Sequence, residues 1–214
     1  MQSEARATIL GRIRSAIISG DRESALTQWQ QIPRDYRVDS DLDWDAVIDL
    51  LKSRLEDYGA HVLTVESRNA QAGVDELLAK RGITNLLIPE GLPESWLPSC
   101  CECCVDNGLG YEALERIAAV MTGATMAIAE TGTLVLRTVS GQGRRALTLI
   151  PDYHLCIVCA EDVVATVPQA IRLLEGGAAA AMTFCSGPSA TADIEMTRIE
   201  GVHGPRSLDV LVLT

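Results

Sequence analysis

Aromatic residues are scarce in this 214-residue chain, at 4% with a single Phe. Its core must therefore be built from Ala, Val, Ile and Leu, a palette that suits helices packed on a parallel sheet. Basic clusters are missing as well. With 18 Lys and Arg against 29 Asp and Glu, the net charge of -11 would repel a phosphate backbone, so no nucleic-acid partner is expected. The opening stretch MQSEARATILGRIRSAIISG has no uninterrupted apolar core followed by a small-residue cleavage site, and does not read as a signal peptide. The one long apolar run, 117–136, holds Glu130, two glycines and four threonines. These are costly in lipid and natural in strand, turn, strand, so no membrane span is expected. Neither GxGxxG after a strand nor a GxxxxGKS or GxxxxGKT loop occurs. That argues against a dinucleotide fingerprint and a P-loop, and the cofactor is left unknown.

Seven cysteines is an odd number, and a chain of this length does not need disulfides for stability. A reducing compartment, the cytoplasm, follows as the expectation. SCCECCVD gathers Cys100, Cys101, Cys103 and Cys104, while Cys156 and Cys159 form a CxxC. Residues three apart on a strand face opposite sides, so the second pair reads as core. The four-cysteine loop could bind zinc or form a redox pair, but adjacent cysteines fit a tetrahedral site poorly and the ferredoxin spacing is missing, so no metal site is assigned.

The apolar spacing predicts an amphipathic lead helix over Glu4 to Ile18 and then a meandering connection from Asp21 to Asp43. Residues 1–42 read as an N-terminal helical extension and 43–214 as one α/β domain with a mostly parallel central sheet flanked by helices. Within it a helix starts near Asp43 and ends at Gly59. HVLTVE, a helix over Ala70 to Lys80 and a strand over Thr84 to Pro89 make a strand, helix, strand unit whose crossover sets the strands parallel. A Pro- and Cys-rich linker spans Glu90 to Asn107, and a helix Tyr111 to Ala119. Strands are read at Met126 to Ala129, Thr133 to Arg137, Ala146 to Ile150, Leu155 to Cys159, Ala179 to Phe184 and Leu208 to Leu213, with a helix at Val167 to Leu174.

GPSATADIEMTRIEGVHGPRS, which follows the Ala-rich strand, concentrates glycine and proline turns, hydroxyls, three acids and a histidine. Gly187, Pro188 and Ser189 can turn with exposed amides, and Ser189 or Thr191 can cap a short helix at 192–194. Such an end favours an anion. Two tight turns and a capped helix would explain the same residues. A hydrolase triad of Ser189, Asp193 and His203 is disfavoured because GPSAT lacks the glycines of a nucleophile elbow. His203, between Gly201 and Gly204, has little bulk around it and is a candidate acid or base near neutral pH. His154 is either a strand-entry histidine bonded to backbone or a ring presented at a sheet edge. Arg144 and Arg145 in GQGRR suit a carboxylate or phosphate, and equally an ordinary solvated loop.

AIAETGTLVL at 127–136, LIPDYHLCIV at 149–158, and GPSATADIE followed by GVHGPR occur in that order. Together they resemble the lactate-utilisation protein C family, of the LUD-domain group, over roughly Glu56 to the carboxyl terminus. The resemblance implies a sheet like that of sugar-phosphate isomerases and coenzyme A transferases, the NagB/RpiA/CoA transferase-like fold. It also implies a subunit or accessory role in oxidising L-lactate to pyruvate beside iron-sulfur partner proteins. Relatives often carry a basic residue where this chain has Ala190. Coenzyme A transferases of the similar fold use a glutamate nucleophile, which makes Glu130, with Thr131 and Gly132, a site candidate; a solvated turn glutamate is the alternative. The site is thus expected to combine Glu130 and His203 with Thr131, Gly132, Arg144, Arg145, His154, Gly187, Pro188, Ser189, Thr191, Asp193, Glu195, Gly204 and Arg206 around a small anionic ligand. A stand-alone isomerase or acyl-transferase, or a lactate-responsive sensor, are the other readings.

Overall fold

The computed structural model describes residues 2–16, 22–175, 180–191, 199–200 and 203–214. The chain divides into two compact units, Met1–Tyr36 and Arg37–Thr214. The first holds α1 (Gln2–Ala16) and α2 (Arg22–Gln31). The second helix replaces the expected connection. Its Glu, Ala, Leu and Gln are strong helix formers, and that local propensity outweighs the scattered charges. Arg34 closes its end, donating to the Trp29 and Ile32 carbonyls with its guanidinium 4.8 Å from the indole centroid.

The larger unit begins with α3 (Trp44–Asp57), capped by the Asp43 carboxylate, which accepts from the Ala46 amide at 2.9 Å. Val47, Leu51 and Leu55 make its buried stripe, while Trp44 stays exposed. There follow β1 (His61–Val65), α4 (Ala70–Arg81), β2 (Asn85–Ile88), β3 (Glu102–Val105), the single turn α5 (Tyr111–Leu114), β4 (Ala119–Gly123), β5 (Met126–Ile128) and β6 (Thr133–Arg137). Then come β7 (Tyr153–Cys159), β8 (Val163–Val164), α6 (Val167–Leu174), β9 (Met182–Cys185), β10 (Ala190–Thr191), β11 (Ile199–Glu200) and β12 (Ser207–Leu213).

Six strands form one all-parallel sheet in the order β1-β12-β7-β4-β2-β3. β1 and β2 are parallel as the crossover rule requires, but three strands separate them. A second sheet, β8-β5-β6-β9, is mixed. Period-two alternation sorts the core into layers. Leu155, Ile157 and Leu211 face α4 through Val74, Leu77 and Leu78. Cys156, Val158, Val210 and Val212 face α3 together with Ala127, Leu134 and Leu136 of the second sheet. The far side of that sheet packs Met126, Ile128 and Val135 on Ala170 of α6, whose start is a capping box between Thr166 and Gln169.

Three expected elements of the larger unit differ as well. The helix at Tyr111 ends after one turn because Ala119 to Gly123, wholly buried, extends between β7 and β2. Ala146 to Ile150 is not a strand: Arg145–Thr148 is a 3-10 turn that drops Leu147 among Leu87, Leu114, Ile117 and Val120. The Pro- and Cys-rich linker contains edge strand β3. Among the described residues no helix is long and apolar enough to cross a membrane.

Candidate functional site

β7 and β12 are neighbours in register, with His154 opposite Leu208. Both side chains lie on the face that carries Cys156 and Val210, toward the second sheet. The chain leaves β9 through Ser186 to Ala190 and enters β12 through His203 to Arg206. These segments are tied together: the Ser189 amide donates to the Pro205 carbonyl at 2.8 Å, and the His203 amide donates to Ser189 Oγ at 3.0 Å. β10 and β11 pair antiparallel alongside, Ala190 opposite Glu200. A cavity of about 220 Å³ results, lined by Arg145, Thr148, His154, Ser189, His203 and Gly204 among others. It opens at the amino-terminal ends of β7 and β12. The strand that delivers its loop, read from sequence as an Ala-rich one, is an edge strand with Met182 and Phe184 exposed.

His154 is buried, and its Nε2 hydrogen-bonds the Thr122 hydroxyl at 2.8 Å. Burial first, then the nearby Arg145 charge, hold its pKa down to about 4, so the ring is neutral at physiological pH. Its Nδ1 makes no hydrogen bond among the described residues, and the ring lines the cavity. Among the described residues Arg145 anchors one nitrogen, Nη1, on the Thr148 carbonyl and hydroxyl, both at 2.9 Å. Among the described residues it has no carboxylate partner. The cavity therefore carries a fixed positive charge beside a neutral imidazole, and His203 stands exposed at its mouth. A hydroxyl chain leads away from it, Ser186 to Thr133 to Thr131, each step 2.7 Å.

Other expected site residues lie elsewhere. Glu130 sits on the β5–β6 turn with its side chain 47% exposed, 3.9 Å from Arg37, and does not line the cavity. Gly132, at φ +57, is pressed on α3, where a Cβ would stand 2.8 Å from Arg54 Cβ. Arg144 is committed to Asp106 through Nε and Nη2, at 2.7 and 2.9 Å. That contact holds the Asp106 carboxyl below its ordinary range. Arg206 faces Asp152 at 3.4 Å, both well exposed, and lines a separate cavity with Arg81 and Tyr58. Gly187 is needed for packing: at φ +86, a Cβ would lie 2.5 Å from Tyr58 Cβ. Pro188 and Gly204 line the main cavity. Thr191 lies in β10. Asp193, Glu195 and the helix expected at 192–194 lie outside the described residues.

Cys156 is buried between the sheets and Cys159 packs on the α4 side, so the pair points to opposite faces. Asp75 accepts from the Ser99 and Cys100 amides and the Ser99 hydroxyl. Burial, then the neighbouring thiols, push Cys101 up to about 12. Among the described residues no three Cys, His, Asp or Glu side chains gather to hold a metal ion. Two features escaped sequence reasoning. One is Asp209, buried in β12 under bidentate contact from Arg81 and a 3.1 Å bond from the Tyr153 hydroxyl; an acid inside SLDVLVL was its signal. The other is Gln142, whose Oε1 accepts from the Arg137 amide at 2.7 Å and whose Nε2 donates to the Thr125 hydroxyl at 3.0 Å.

Residues 109–213 match the model of the LUD domain. A lactate utilization protein C from Deinococcus radiodurans is 36% identical over 214 residues, covering 99% of this chain and 96% of that protein. The chain belongs to the lactate utilization protein C family of LUD-domain proteins. A namesake from Shouchella clausii is 28% identical over 86% of each chain. A crystal structure of a DUF162 family protein from Deinococcus radiodurans superposes with a TM-score of 0.66 at 32% identity, covering 81% of this chain and 99% of that one. Every residue lining the main cavity falls within the LUD-domain match.

Proposed function

We propose that the LUD domain binds a small carboxylate in the cavity between β7, β12 and β9. In this reading the chain serves, in the cytoplasm, as a subunit or accessory factor in the oxidation of L-lactate to pyruvate beside iron-sulfur partner proteins. The names of its relatives support lactate utilisation. The observation that carries the ligand reading is Arg145, a guanidinium with no carboxylate partner among the described residues, in a cavity of small-acid size. Its free edge offers a carboxylate two parallel charge-assisted bonds. The Ser189 hydroxyl, which accepts from the His203 amide, still has its own proton to donate. His203 at the mouth is the group suited to exchange a proton with a 2-hydroxyl or 2-oxo oxygen. Glu130, exposed and outside the cavity, takes no part in this arrangement.

Titration calorimetry with L-lactate and pyruvate on the full chain tests the ligand. Arg145→Gln is expected to weaken binding by about tenfold or more, the scale of a lost charge-assisted bond. Failure of both acids to bind, or equal affinity in the variant, overturns it. Lactate-dependent dye reduction by the co-expressed iron-sulfur proteins, with and without this chain, tests the role. An unchanged rate with no association overturns it.

A further inference from the structure

Of the titratable side chains lining the main cavity, His154 is the most deeply buried, at 3% exposed. Arg145, Ser189 and His203 have roles in the carboxylate site proposed above, and this ring has none. Its Nε2 is bonded to the Thr122 hydroxyl, and its Nδ1 has no partner among the described residues. A ring nitrogen sealed in the core without a partner is an orphan, as at His61 Nδ1. Nδ1 of His154 is not sealed in that way, because the cavity that the ring lines reaches it.

What Nδ1 offers a ligand depends on the tautomer. The ring is neutral, so one nitrogen carries a proton and the other a lone pair. Two neighbours decide between them. Thr122 stands directly opposite Cys156 across β4 and β7. Burial, then Cys185, push the Cys156 thiol up to about 12, and the Thr122 hydroxyl works against both by donating toward the sulfur. The Thr122 oxygen is then left to accept, and Nε2 is the nitrogen that donates to it. Arg145 acts in the same sense. Its positive charge is close enough to bear on the ring, and it favours a lone pair over an N–H dipole on the shared cavity wall. Nδ1 is therefore an acceptor, in a cavity where the Arg145 guanidinium and the Ser189 hydroxyl donate.

We propose that His154 determines which acid the cavity takes: Nδ1 accepts from a hydroxyl on the carbon beside the carboxylate, so that a 2-hydroxy acid is selected over the 2-oxo acid of the same length. The inference rests on the carboxylate site at Arg145. A 2-oxo oxygen has no proton to give, and its lone pairs would face that of Nδ1, leaving a buried acceptor unpaired. A site built to pair a substrate hydroxyl rejects the analogue that lacks it.

Nitrogen-15 NMR of the histidine-labelled full chain at pH 7.5, assigned by through-bond correlation, reads the tautomer without any ligand. His154 is expected to show a protonated Nε2 and an unprotonated Nδ1. Calorimetry with L-lactate, pyruvate and propionate, which has no oxygen on C2, reads the selection. L-Lactate is expected to bind at least about tenfold tighter than either of the others. His154→Phe is expected to bring the three within about twofold of one another through loss of lactate affinity, whereas a merely structural role for the ring would lower all three together and overturn the inference. The tautomer and the order of affinities are read on the wild type, so they decide even where His154→Phe fails to fold. A proton on Nδ1 overturns the inference. So does pyruvate or propionate binding as tightly as L-lactate while both acids weaken in Arg145→Gln, a result that keeps the carboxylate site. Failure of all three acids to bind overturns the site and the inference together.

Discussion

A buried neutral histidine makes the stability of this domain depend on pH in a way that can be isolated. His154 titrates near 6.5 when unfolded and is held down to about 4 in the native state. Between those values the unfolded chain binds a proton that the folded chain refuses, so stability falls as pH falls. The contribution is fully present above pH 6.5, is lost progressively toward pH 4, and levels off below. The full shift corresponds to about 3 kcal/mol, of which about 2 kcal/mol is lost by pH 5. Urea unfolding of the wild type and of His154→Gln at pH 7.5 and pH 5.0 measures it. The variant is less stable at both values because Thr122 loses its partner, but the readout is the difference between the two drops. Carboxylates such as Asp106, which also lose stabilisation in acid, contribute equally to both proteins and cancel. The wild type is expected to lose about 2 kcal/mol more than the variant. Equal losses would refute the assignment of a buried, neutral imidazole at the cavity wall.

Adjacent arginines are expected to behave oppositely. Arg144→Gln strands Asp106, whose side chain is 7% exposed, and costs about 3 kcal/mol in denaturant unfolding; Arg145→Gln changes stability by less than about 1 kcal/mol. Asp209→Ala removes the carboxylate under Arg81 and Tyr153 and lowers stability by about 3 kcal/mol, read as a fall in urea midpoint at constant slope. Gly187→Ala forces a Cβ onto Tyr58 at positive φ and costs about 2 kcal/mol or more, seen as a lowered Tm; a wild-type Tm would contradict the packing assigned to this turn.

Elements with strong local signals are legible in the amino-acid sequence. Asp43 caps α3 where the apolar spacing places a helix start, and Gly82, at φ +68, closes α4. β1, β6, β7 and β12 follow from their apolar β-branched runs. What escapes is decided by distant partners. Ala146 to Ile150 has strand composition, yet it turns as a 3-10 segment that buries Leu147 in the pocket of Leu87 and Val120. β3 hides in a linker of prolines and cysteines because an edge strand needs only one neighbour, here β2.

The cavity is half legible, and the division has a physical cause. Turn chemistry points to Gly187 to Arg206, and the structure closes the described parts of that stretch into a wall through Ser189 and Pro205. Glycine signals, however, do not distinguish a turn that binds from a turn that packs, as Gly187 against Tyr58 and Gly132 against Arg54 demonstrate. Charge is ambiguous for the same reason. Arg144 and Arg145 are chemically identical neighbours, and only the 3-10 turn that begins at Arg145 separates them. It turns one guanidinium onto Asp106, where its charge is spent on structure, and leaves the other, held by a single nitrogen, facing the main cavity. Which arginine is left facing a cavity is thus set by one residue of rotation, and that rotation is set by where Leu147 finds its core.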